Sequence, residues 1–175
     1  MGEGGESGAS GTGALVTVDL AVDSMTGFHG ETLRDVKFTY SGTGDRTDRM
    51  EFSAVTASGG QVVFTDMRDG GTRKVAMRSA DAGAVLRFLD IYEHMQGGEI
   101  TLALSANGDG PLTGEVDARD FWVVDEPRLS SIVSTAPQND GRSLNQAVRG
   151  DIDTRRVHFE RGYSRIAKEP GTLSL

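Results

Sequence analysis

Apolar and polar residues alternate with a period of two along most of this 175-residue chain, in short runs that glycine or aspartate interrupts. Side chains along a strand point alternately to its two faces, so each such run predicts a strand with one face to bury and one to wet. From Ala14, "ALVTVDLAVD" sets Val16, Val18, Leu20 and Val22 against Thr17 and Asp19. "LRDVKFTYSG" sets Val36, Phe38 and Tyr40 against Asp35, Lys37 and Thr39, and "RMEFSAVTA" returns with Met50 and Phe52 on one face. "QVVFTDM", "RKVAMRS", "EITLALS" and "TGEVDARDFWVVD" repeat the pattern. Turns as short as "SMTGFHGET" and "GTGDRTD" join neighbours antiparallel, which makes the expected topology a meander. The 24 glycines, spread through the chain, fit many short strands better than a helical bundle.

Two segments change period. Over residues 81–95, at about 100° per residue, Ala82, Val85, Leu86, Leu89 and Tyr92 share one helical face. Phe88 and Met95 flank that face, and Arg87, Asp90 and His94 lie opposite. Ser79 or Asp81 supplies the cap, and Gly97-Gly98 the stop. A second helix is expected over residues 127–136, with Asp125 or Glu126 as cap, Pro127 in the first turn, and Leu129, Ile132, Val133 and Ala136 inward. A polar loop, residues 137–150, follows, and strands resume with "DIDTRRVHFERG" and "GTLSL". The strand–helix–strand order around both helices reads either as a weak internal repeat or simply as helices packed on a sheet. The expected fold is mainly β with two short helices. An antiparallel, strongly curved sheet, a β-groove or half-open barrel or sandwich, is capped by helices 81–95 and 127–136.

Charge and composition narrow the function classes. A net charge of -8 and a pI near 4.8 argue against nucleic acid, because phosphate contacts need a basic face. The chain has no cysteine, which removes disulfides, thiolate metal sites and thiol catalysis. No apolar run approaches the roughly 18 residues of a membrane span, and no secretion signal is visible. Residues 1–13, "MGEGGESGASGTG", read as a disordered Gly/Ser linker or leader before a single domain at 14–175. The last residues look like the middle of a strand, as expected of an excised fragment.

Catalytic and metal patterns fail one by one. His29, His94 and His158 fall in a turn, on a helix and in a strand, without ligand spacing. "ANGDGPLTGE" places Asn107 and Asp109 two apart but lacks the third ligand and closing glutamate of a calcium loop. The Gly-Thr-Gly triplets at 11–13 and 42–44 match no phosphate loop, and no nucleophile elbow is present. Asp117 and Asp120 fall on opposite faces of an alternating strand, which breaks any acid/base set with Asp125. The expectation is a protein that is not an enzyme, with no cofactor and no metal.

The apolar side chains carry what is left. Helices about 10 Å across cover only two or three strands spaced about 4.8 Å apart. Eight or more strands therefore leave inner face uncovered, so the sheet closes on itself or forms an apolar groove. The expected lining of such a groove is Val18, Leu20, Val36, Phe38, Phe52, Phe64, Leu102, Leu104 and Val123. The alternative is a structural or interaction module with a closed core, whose edge strands pair with neighbouring repeats or another protein.

Specific motifs add a resemblance. Asp81-Ala82-Gly83 opens a helix, Gly97-Gly98 precedes a strand, Gly114 marks a turn, and Asp120-Phe121 is followed by a helix from Pro127 to Ile132. With "VDLAVDSMTGFHGETLRDVKFTYS" upstream and "VHFERG" downstream, this order resembles the AsmA-like C-terminal region of the AsmA, TamB and YhdP envelope proteins, the YhdP type above all. The resemblance covers roughly residues 14–175 and thins over 137–150, where the loop is more polar than the family pattern. It implies a long twisted sheet bent into a U, apolar inside and built by stacking repeats. It also implies a periplasmic setting with an inner-membrane anchor in the full-length protein, phospholipid acyl chains and neighbouring repeats as partners, and a role in outer-membrane biogenesis. It brings no catalytic residues.

Overall fold

The computed structural model describes residues 13–128 and 156–167. Among these residues eight strands form one antiparallel sheet in the order of the sequence, each hydrogen-bonded to the next, and the sheet does not close on itself. They are β1 (Leu15–Thr26), β2 (Thr32–Thr43), β3 (Arg46–Thr56), β4 (Gln61–Asp69), β5 (Thr72–Ser79), β6 (Met95–Asn107), β7 (Thr113–Val124) and β8 (Arg156–Ile166). The meander read from the alternation is thus the fold, as one open sheet and neither sandwich nor barrel. Among the described residues one complete α-helix, α1 (Ala82–Phe88), crosses between β5 and β6, a short 3-10 turn (Phe28–Gly30) joins β1 to β2, and residues 127–128 are helical.

The helix is half as long as its periodicity suggests. Asp81 caps its start, Oδ1 accepting from the Ala84 amide at 3.0 Å. It ends because Asp90 takes a left-handed φ of 56°. The Ile91 amide then reaches the Leu86 carbonyl at 2.9 Å and the Asp90 amide the Arg87 carbonyl at 3.1 Å. That is the Schellman closure usually given to glycine. The expected helix over 81–95 is therefore corrected to 82–88. Leu89, expected inward, is 48% exposed, and Met95 begins β6. His94 lies beyond the helix as well. Gly97 and Gly98 do not stop the helix either: they sit inside β6 at φ 62° and 79°. The second helix expected over 127–136 falls outside the described residues from 129 onward, as do the loop 137–150, residues 1–12 and the segment "GTLSL".

Two clusters make the core, both at the α1 end of the sheet. Leu33, Val36, Ala54 and Val62 pack with Val85 of α1, and Ala82 of α1 packs with Met95 and Ile100. The helix backbone comes close enough that a Cβ on Gly83 would stand 2.5 Å from the Met95 carbonyl oxygen. Arg87 fastens the same corner, its Nε donating to Glu31 at 2.6 Å and its Nη1 to the Met95 carbonyl.

Candidate apolar binding face

The cross-strand register decides which side chains share a face. One rung runs Leu20, Phe38, Phe52, Phe64, Met77, Leu102, Val116 and Ser164, apolar over seven of its eight members. The next rung towards the β4–β5 turn runs Val18, Tyr40, Met50, Asp66, Val75, Leu104, Gly114 and Ile166. The opposite face carries Asp19, Thr39, Glu51 and Thr65, and then Lys37, Ser53 and Arg78.

Strict alternation would carry this face out of phase near the α1 end. Positive φ restores it. Asp35, at φ 52°, puts Arg34 and Asp35 both outward, so that Leu33 and Val36 are both buried. Asp120, at φ 50°, lies beside Gly98 and does the same for β7, where Phe121 is half-buried and Val123 buried. Phe121 there stacks on Phe159 of β8, ring centroids 5.2 Å apart.

All nine expected lining residues fall on this one face, but in two zones. Val36 and Val123, 2% and 7% exposed, are packed away at the α1 end and line nothing open. Phe38, Phe52, Phe64, Leu102 and Leu104 are half-buried. Val18 and Leu20, at 42% and 51%, are open to water. The cause is the size of the helix. Seven residues make α1 about 10 Å long and about 10 Å across, against a sheet about 34 Å wide. The rest of the apolar face has no cover among the described residues.

Where the covered and open zones meet, the face is hollowed into a pocket of about 300 Å³. Eleven side chains line it, all apolar, among them Phe38, Met50, Phe52, Phe64, Met77 and Phe88. Met25, Leu33, Met50, Val62, Met77, Val85, Phe88 and Leu89 line it without having been expected to. Six of these lie in the strand and helix segments read from the sequence, whereas Met25 and Leu33 lie across the phase change at Asp35.

One charged group interrupts the face. Asp66 is buried, and its carboxylate accepts from Arg73 Nε at 3.0 Å and Nη2 at 2.5 Å. The bond to Asp66 raises the Arg73 guanidinium further above its ordinary range. Beside it Arg68 pairs with Asp109 at 3.0 Å. This group closes the far end of the apolar strip at the β4–β5 turn.

The acidic set weighed in β7 has no catalytic geometry. Asp117 is held by Arg161 at 2.5 Å and Arg119 at 3.2 Å, and the Arg161 bond above all lowers its carboxyl to about 2. Asp120 stands 80% exposed beside His158, and its positive φ turns it onto the same face as Asp117, where strict alternation had set the two on opposite faces. His29 Nε2 meets Asp90 at 2.7 Å, tying the 3-10 turn to the end of α1, and His94 Nδ1 meets the Val124 carbonyl at 2.9 Å. Among the described residues no three His, Asp or Glu side chains are placed to share a metal ion, and no helix is long and apolar enough to cross a membrane. Compared with known proteins, the chain matches no family model, no curated protein and no solved structure.

Proposed function

We propose that this chain binds lipid acyl chains along the apolar face of its sheet. In this reading it is a segment of a periplasmic bridge that carries phospholipid between the inner and outer membranes. One observation supports this above the others: an all-apolar pocket of about 300 Å³ opens onto an apolar strip that the described residues leave largely uncovered. Soluble domains seldom leave such a strip without an occupant. Acyl chains suit it because each methylene removed from water contributes about 0.8 kcal/mol without needing a polar partner. The charged headgroup stays in solvent along the open side. The site binds and does not catalyse, and it needs neither metal nor cofactor.

The test uses adjacent strand positions as each other's control. A photoreactive residue replaces Phe38, on the apolar face, in one variant and Lys37, on the polar face, in another. Each is irradiated with vesicles of phosphatidylethanolamine and phosphatidylglycerol and analysed by mass spectrometry. Phospholipid adducts at position 38 with few or none at 37 support the reading. Equal labelling, or none at 38 in a folded variant, would sink it.

A further inference from the structure

The two edges of the sheet complement each other, and we infer that β1 of one copy pairs with β8 of a second copy to continue the sheet head to tail. This does not depend on the lipid reading. Both are terminal strands, of 12 and 11 residues, and neither has an outer neighbour among the described residues.

Three features point to a second copy of this chain as the occupant. The first is parity. In a simple meander of eight strands, β1 and β8 run in opposite directions, so a copy shifted sideways meets the edge antiparallel and keeps its apolar face on the same side. An odd number of strands would make that junction parallel. The second is charge. β1 carries Asp19 and Asp23 and no basic residue, whereas β8 carries three arginines against one glutamate.

The third is register. The rung that begins at Asp19 passes through Thr39 and Glu51 to Glu115 and ends at Arg165. Extending the rungs into the next copy sets Arg165 opposite its Asp19, and four residues along sets Arg161 opposite its Asp23. On the other face the same register sets Ile166 opposite Val18, both open to water, as the rung through those two residues shows. Opposite charges directly across a strand pair stabilise it, and like charges there oppose it. Pairing of unlike edges is heterologous, so nothing stops it at two copies.

The test is charge reversal with rescue, read as mass by sedimentation velocity and light scattering on the full chain. The wild type is expected to grow beyond a dimer between micromolar and millimolar concentration, and to shrink in high salt. Asp19→Lys/Asp23→Lys and Arg161→Glu/Arg165→Glu should each weaken association about tenfold or more. Mixed, the two regain it, because Lys now faces Glu at one junction and Asp faces Arg at the next. A wild type that stays monomeric, one that stops at a dimer, or folded variants that do not rescue each other would overturn the proposal. Arg161 also holds Asp117, so its variant is the one at risk of not folding. In that event Asp19→Lys/Asp23→Lys is titrated into the wild type. It should cap growing chains and lower the mean mass, and a mass that ignores it refutes the pairing.

Discussion

The pocket sets a limit on chain length that binding measurements will read directly. Its volume is about 300 Å³. At about 30 Å³ for a water, and nearly the same for a methylene, that is room for roughly ten carbons. Each one transferred from water is worth about 0.8 kcal/mol, or close to fourfold in affinity. Ten give about 8 kcal/mol gross, against an association cost of about 4–15 kcal/mol, so the absolute affinity is modest and the slope is the informative quantity. A series of single-chain amphiphiles with one headgroup, kept below micelle formation, is titrated by displacement of a polarity-sensitive dye. Affinity should rise close to fourfold per carbon up to about ten carbons. The slope should then at least halve, because further carbons lie on the open strip with one side wet. Phe64→Ala, which enlarges the pocket, should move that break several carbons further out. An affinity indifferent to length, or a slope that continues unbroken in both proteins, would refute the pocket as the binding element.

Two further outcomes test the frame that holds the face. Asp81→Ala removes the cap of α1 and one partner of Ser58, and should cost about 0.5–2 kcal/mol, read as a lower urea midpoint at unchanged slope. A midpoint within error of the wild type would mean that α1 is held by packing alone. Asp117 titrates at about 2 in the folded chain against 3.8 ordinarily, so its contribution is complete above about pH 4 and is lost as pH falls through 2. The stability gap between wild type and Asp117→Asn should therefore close as unfolding is followed from about pH 5 down to 2, and a gap constant with pH would exclude the ion pairs as its cause.

Strand positions were legible because a period of two is a local property. Val18 with Leu20, and Leu102 with Leu104, could each be assigned to one side of their strand without knowing the partner, and the register then sets them on one face with Phe38, Phe52 and Phe64. What escaped depended on a single dihedral angle. Leu33 and Val36 are three apart, so alternation puts them on opposite faces, and only the positive φ of Asp35 reconciles them. The helix was read too long for a related reason. Leu89, Tyr92 and Met95 prolong the 3.6-residue spacing by coincidence, while Asp90 had already turned the chain. Asp66 escaped for the opposite reason. It sits where the alternation demands an apolar residue, and its partner Arg73, on the next strand, becomes visible only once Asp66 is known to pair with Val75, two residues from it.

Whether a face of this kind closes into a core or stays open depends on area, and composition does not settle it. The side chains at the α1 end and those along the open strip are the same residue types in the same alternation, yet Val36 is buried and Leu20 half exposed. α1 makes the difference by covering one end and no more. Its length is set by Asp81 at the start and Asp90 at the finish, two aspartates that are not themselves part of the pocket's lining. A helix continuing to residue 95 would have run about 10 Å further. Asp90 instead turns the chain into β6, and Met95 enters that strand as part of the core. Among the described residues, the openness of the strip therefore follows from the turn chemistry around α1.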